Sequence, residues 1–62
     1  MIAEIQDEGT IFLFRPMDME AEEWCDENIS DDRQSFGKAI VIEHRYISEI
    51  AEGFRAAGGI IE

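Results

Sequence analysis

Two short apolar segments of the chain have the pattern of β-strands. Residues 11–14 form a continuous apolar run that follows the turn residue Gly9 and precedes Pro16. The segment Ala39–Glu43 is rich in β-branched side chains, which favour a strand. Upstream, Ile2 and Ile5 could form a strand that pairs with residues 11–14 across a turn at residues 6–9. Their spacing of three residues does not match the period of two that a half-buried strand prefers.

Two other segments carry apolar residues at helical spacing. Asp18 stands at an N-cap position after Pro16, which predicts a helix over Met19–Asn28 with a polar loop after it that continues to Gly37. A second helix follows residue 43 and ends at the glycine pair 58–59, where a left-handed cap forms easily. The apolar positions are Ala21, Trp24 and Cys25 in the first helix and Ile47, Ile50, Ala51 and Phe54 in the second.

The predicted fold is α+β and comprises a single domain, residues 1–62. It is a small antiparallel or mixed sheet of two to four strands, with the two amphipathic helices on one face. Residues 60–62 either add a short strand or tuck under the sheet. Residues 11–14 are apolar at odd and even positions alike. The sheet face that points away from the helices is therefore also apolar. Either terminal residues cover that face, or it is a dimer or partner surface. The terminal residues in question are Ile2, Ile5, Ile60 and Ile61.

Composition narrows the classes of function. The formal net charge of −10 disfavours binding to nucleic acid or to an anionic membrane, and it favours a basic partner. The single Cys25 excludes an internal disulfide, and with His44 as the only histidine a Cys/His zinc site cannot form within one chain. The chain shows neither a signal peptide nor an apolar span of membrane length, so we expect a cytoplasmic protein.

The sequence offers no catalytic, cofactor or metal site. His44 has no nucleophile at a recognisable spacing, and Cys25 shares the apolar side of its helix, which indicates an inert core thiol. A 12-residue frame from Asp26 resembles a calcium loop at its first positions. It has Asp31 where the sharp turn needs Gly, and Gly37 where a bidentate Glu is required. We therefore expect no enzyme, no cofactor and no metal.

The acidic residues are concentrated in one segment. Residues 18–32 contain eight acids and no base, whereas the other 47 residues contain seven acids and five bases. A solvated acidic surface, for solubility or in adaptation to salt, is the simplest interpretation. The alternative is imitation of a nucleic-acid backbone. Six carboxylates over about 15 Å of helix give about one charge per 2.5 Å, between the ~1.7 Å of duplex DNA and the ~3.4 Å of a single strand. The predicted partner-binding residues are Glu20, Glu22, Glu23, Asp26, Glu27, Asp31 and Asp32, with Glu49 and Glu52 on the second helix.

In size, charge and layout, "RPMDMEAEEW", the acidic loop and "FGKAIVIEHRYISEI" resemble short acidic proteins of phages and mobile elements. These include anti-CRISPR proteins, several of which mimic double-stranded DNA and occupy the target-DNA or PAM-reading site of a Cas complex. The resemblance implies a non-enzymatic inhibitor whose partner is a basic nucleic-acid-binding protein, such as a Cas effector, in the host cytoplasm. The alternative is a small regulatory or assembly module, an antitoxin-like partner or a homodimer, that uses the apolar sheet face.

Overall fold

The structure, a computed structural model, describes residues 1–30 and 33–62, and within them the chain forms five strands and two helices. The strands are β1 (Ile2–Asp7), β2 (Ile11–Pro16), β3 (Ser35–Phe36), β4 (Ala39–Glu43) and β5 (Ile60–Ile61), and the helices are α1 (Met19–Asn28) and α2 (His44–Ala56). The strand order is β3-β4-β2-β1-β5, in which β1 and β5 are parallel and the other pairs antiparallel. The α+β class is confirmed.

The prediction of two to four strands is wrong, because the sheet has five in the described part of the chain. The strand that sequence reasoning missed is β3, which lies in the segment predicted as loop. Gly37, at a φ of +65°, allows the tight turn that pairs β3 with the start of β4. Both β3 residues are exposed, so β3 has no alternation of apolar and polar residues to reveal it.

The hairpin of β1 and β2 forms as predicted. Its turn is closed by a 2.9 Å hydrogen bond from the Glu8 amide to the Ile11 carbonyl, and Gly9 adopts a φ of +93°. Within β1, Ala3 is fully buried and Ile5 packs against the core, while Ile2 faces the opposite way. Ala3 and Ile5 therefore supply the period of two that the spacing of Ile2 and Ile5 lacked.

Helix α1 begins and ends where the sequence predicted. The Asp18 carboxylate accepts a 2.9 Å hydrogen bond from the Ala21 amide, which satisfies one of the free donors of the first turn. Ala21 and Cys25 are fully buried against the sheet, and Trp24 packs at the margin of the core. The ring of Trp24 meets the ring of Phe54 edge-on at 5.2 Å, so the two helices share an aromatic contact.

Helix α2 ends at Ala56 rather than at the glycine pair. Gly58 follows at a φ of +94°, and the Gly59 amide donates a 2.9 Å hydrogen bond to the Phe54 carbonyl. A Cβ atom at residue 59 would lie 2.4 Å from the Phe54 ring, so only glycine fits as the chain turns back. This turn directs Ile60 and Ile61 into β5, beside β1.

The terminal segments do not cover the second sheet face, so that first explanation of the face is wrong. They form strands β1 and β5 of the sheet instead. Ile5 and Ile61 pack on the helix side, whereas Ile2 and Ile60 are exposed on the other side. We call this uncovered side the open sheet face. Strand alternation and register place Ile2, Ile11, Leu13, Phe36, Val41 and Ile60 on it.

Candidate acidic binding surface

Helix α1 exposes every carboxylate that the sequence predicted on it. Ala21 and Cys25 point into the core, which leaves the remaining arc of the helix to solvent. We call the exposed carboxylates of α1 the acidic surface. Its members are Glu20, Glu22, Glu23, Asp26 and Glu27. Asp31 and Asp32, which were also predicted to bind a partner, lie outside the described residues.

The acidic surface divides into two parts along α1. Glu20, Glu23 and Glu27 follow one another at spacings of three and four residues, so they form one row, here called the outer row. Within residues 1–30 and 33–62, none of these three carboxylates takes part in an ion pair. Glu22 and Asp26 form the second row, on the flank of α1 that faces the β3 edge of the sheet.

The second row has a base beside it, although residues 18–32 contain none. The Arg33 guanidinium donates to the Asp26 carboxylate at 2.7 Å. It also donates to the carbonyls of Cys25 and Ile29, at 3.3 and 3.2 Å. Helix α1 has no basic residue in its last turn, so Arg33 satisfies carbonyls at its negative end from outside the helix. The signal available in the sequence was a base just beyond the acidic segment.

These contacts change the charge density derived from the sequence. Asp18 is engaged as the N-cap of α1, and Asp26 is paired with Arg33. The four other carboxylates of the acidic surface span eight residues, or about 12 Å of helix axis at 1.5 Å per residue. One charge per about 3 Å remains within the range set by duplex and single-stranded DNA. The acidic surface therefore keeps a phosphate-like charge spacing.

The two acids of α2 are both exposed, and at a spacing of three residues they are neighbours on the helix. Glu49 borders the groove between α2 and the end of α1, which Asn28 and Arg33 also line. Glu52 borders a depression on the side of β1 and β2, beside Arg55. The two acids therefore extend from the groove beside α1 towards the side of β1 and β2.

The two side chains that could have suggested catalysis make structural contacts. Burial raises the pKa of the Cys25 thiol to about 11, and the nearby Arg33 opposes this increase only in part. The thiol is therefore protonated at neutral pH, as expected for a core residue. His44 Nε2 lies 2.8 Å from the Gly9 carbonyl oxygen, and its ring packs 4.6 Å from that of Phe12.

The described part of the chain has neither a cluster of metal ligands nor a helix of membrane-spanning length. Residues 1–30 and 33–62 contain no group of three or more His, Cys, Asp or Glu side chains placed to hold a metal ion. No helix in these ranges is long and apolar enough to cross a membrane. No family model, curated protein or solved structure matches the chain. Its function is therefore inferred from the chemistry of its own surfaces.

Proposed function

We propose that the protein is a non-enzymatic inhibitor that binds a basic nucleic-acid-binding protein through the acidic surface of α1. The observation that supports this proposal is the exposure of all five α1 carboxylates on one helix, with a single arginine paired to one of them. A site that holds phosphates through Arg and Lys side chains accepts fixed carboxylates by the same charge-assisted hydrogen bonds. The acidic surface would occupy that site in place of DNA.

The local energetics of α1 favour a binding role over a purely structural one. Glu22 and Asp26, and likewise Glu23 and Glu27, are like-charge pairs four residues apart, each unfavourable by a few tenths of a kcal/mol. Arg33 relieves only Asp26. A basic partner would relieve the remaining repulsion. The unfavourable pairs are then a cost to the free protein that is recovered in the complex.

We propose a CRISPR effector complex as the target, with the acidic surface at its DNA-binding, PAM-reading site. The resemblance to anti-CRISPR proteins supports this choice, as does the phosphate-like spacing of about 3 Å. Such a target places the protein in the cytoplasm of the host cell. The net charge of −10 disfavours direct binding to nucleic acid or to an anionic membrane.

The test is inhibition of DNA binding by purified, guide-loaded CRISPR effectors, followed by mobility shift of a labelled target duplex. The test variant is Glu20→Gln/Glu23→Gln/Glu27→Gln, which removes the outer row. The control variant is Glu8→Gln/Glu43→Gln/Glu62→Gln, which removes three exposed charges away from α1. Both variants lose the same charge, and the pair of Glu43 with Arg45 that the control also loses is solvent-exposed and contributes little.

We expect the wild-type protein and the control variant to block duplex binding. Loss of the outer row should weaken inhibition by about 10- to 100-fold, because each exposed ion pair contributes up to about 1 kcal/mol. The outer-row variant should fold about as well as the wild type, since relief of the repulsion between Glu23 and Glu27 offsets the loss of the favourable Glu20 charge in the first turn of α1. Equal inhibition by the two variants would contradict the proposal.

The open sheet face supports a second candidate, a regulatory or assembly module. Phe36 and Ile60 are 78% and 62% exposed on this face, which is costly for a protein that has no partner there. Ionic strength separates the two candidates. A complex made by the acidic surface weakens as salt rises, whereas one made by apolar burial persists.

A further inference from the structure

The open sheet face is an apolar surface that the two helices leave uncovered. Leu13 and Val41 are paired neighbours at its centre, and Ile11 continues it along β2. Towards its edges, Ile2, Phe36 and Ile60 are 37%, 78% and 62% exposed. Apolar side chains of this size, gathered on one face, are typical of a contact with another protein.

Charge is distributed unequally between the two sides of the sheet. The acidic surface, Glu49 and Glu52 all lie on the helix side. On the open sheet face, the Arg15 guanidinium pairs with the Glu4 carboxylate at 3.1 Å, and Glu43 lies at the end of β4. The open sheet face is therefore close to neutral although the protein carries a net charge of −10.

We propose that a second copy of this chain covers the open sheet face. The near neutrality of the face is the first argument, because a strongly acidic protein can associate with itself only where like charges do not meet. The open sheet face of one copy is also complementary in charge to the same face of a second copy. In an isologous pair whose two-fold axis runs across the strands, Arg15 of each copy faces the end of the sheet where Glu43 pairs with Ile11 on the other.

The available area is sufficient for a weak dimer. The five strands contain 21 residues, which at about 4.8 by 3.3 Å per residue define a face of about 330 Å². Two copies would bury about 700 Å² in total, which is in the range of small, transient interfaces. We therefore expect a reversible dimer with a dissociation constant on the order of 100 µM.

The dimer also keeps the two acidic surfaces apart. Packing the sheets face to face gives four layers, helix, sheet, sheet and helix, each about 10 Å thick. The acidic surfaces then lie on opposite outer sides, about 40 Å apart, which is several times the screening length of about 8 Å at physiological salt. The dimer leaves both acidic surfaces accessible, and it does not depend on the function proposed for them.

Sedimentation velocity from about 1 µM to 1 mM tests the dimer, and Phe36→Gln/Ile60→Gln is the test variant. Both residues are mostly exposed, so the variant should remain folded. The control is Met19→Gln, which changes an apolar residue that is 73% exposed on the helix side. Circular dichroism verifies the fold of each variant, and Leu13→Lys serves as a second test at the centre of the face.

We expect the wild type and Met19→Gln to dimerise alike, with an affinity that is unchanged or higher at 0.5 M salt than at low salt. Phe36→Gln/Ile60→Gln should weaken the dimer by at least tenfold, and folded Leu13→Lys should be monomeric throughout. A wild type that stays monomeric at every concentration would overturn the proposal, whether the face is bare or holds a different protein. So would a dimer that these substitutions leave intact, or one that high salt dissociates.

Discussion

Leu13 and Phe14 are neighbours in β2, yet they belong to different sides of the molecule. Phe14 is fully buried beneath the helices, where its ring meets that of Phe54 edge-on at 5.3 Å. Leu13 is only half-buried on the open sheet face, with Val41 as its paired neighbour. Two equally apolar neighbours therefore have different surroundings, because only one side of the sheet has a helical layer over it.

Charge follows the same division. The helix side carries the acidic surface, and the open sheet face carries one ion pair and mostly apolar side chains. A small chain has little interior volume, so its helices bury a narrow stripe and expose the rest. The comparison indicates that one side of the molecule is suited to an electrostatic contact and the other to an apolar contact.

Truncation of Leu13 and of Phe14 should give the largest difference in stability between the two sides of the sheet. Phe14→Ala truncates one of the two fully buried phenylalanines of the core and should cost about 3–5 kcal/mol. A chain of this length has a free energy of unfolding of only about 3–9 kcal/mol, so most of the stability would be lost. Leu13→Ala should cost about 1–2 kcal/mol, because its side chain is already partly solvated.

Urea unfolding at low protein concentration measures both changes in the free energy of unfolding without a contribution from self-association. Similar losses for the two variants would mean that the open sheet face is as well packed as the core, which the structure excludes.

Burial of the Cys25 thiol on the helix side makes the free energy of unfolding depend on pH. Burial raises its pKa to about 11 from an ordinary value of 9.0, so the folded state holds this proton more tightly than the unfolded state does. Stability is then complete below pH 9 and falls as pH rises towards 11, by about 2–3 kcal/mol. Chemical unfolding at a series of pH values measures the decrease, and Cys25→Ala should remove this part of it.

The rate of alkylation compares the accessibility of the Cys25 thiol with that of a thiol introduced on the open sheet face. At pH 8 native Cys25 should resist iodoacetamide, while a thiol introduced by Phe36→Cys in the Cys25→Ala background should react at once. Prompt alkylation of Cys25 in the folded protein would contradict the burial described for α1.

Two of the arginine ion pairs, those of Arg33 and Arg15, offer a smaller comparison between the sides. Arg33 combines its pairing to Asp26 with hydrogen bonds to two α1 carbonyls, and its side chain is 21% exposed. Arg33→Gln should therefore cost about 1–2 kcal/mol of stability. Arg15, whose side chain is 40% exposed, makes a single ion pair within the described residues, with Glu4, so Arg15→Gln should cost at most about 0.5 kcal/mol.

Thermal unfolding of the monomer measures this difference as a larger decrease in Tm for the Arg33 variant. Should the Arg15 variant prove the less stable of the two, the capping role assigned to Arg33 would be wrong.

Much of this fold could be predicted from sequence because its signals are local. The limits of α1 follow from Asp18 and the apolar spacing, and those of β4 follow from its β-branched run. Strand β3 could not be predicted, because two exposed residues carry no periodicity. The exposure of Ile2 and Ile60 on the open sheet face could not be predicted either. It depends on the register between segments almost sixty residues apart in the chain.

The acidic surface was predictable as a set of residues, but its internal pairing was not. Helical spacing alone places the five α1 carboxylates towards solvent. The contact of Arg33 with Asp26 depends on how the chain turns after α1, which no local pattern indicates.

The most direct test of the central claim, that the acidic surface occupies a phosphate-binding site, is duplex-driven release of a captured partner. The wild-type protein and the outer-row variant would be immobilised, exposed at low salt to a lysate of CRISPR-bearing bacteria, and eluted with a short DNA duplex. We predict that the duplex releases a basic DNA-binding complex from the wild type, and that the outer-row variant retains none of it. A partner that remains bound in duplex and in high salt, or that binds the outer-row variant equally well, would contradict the claim.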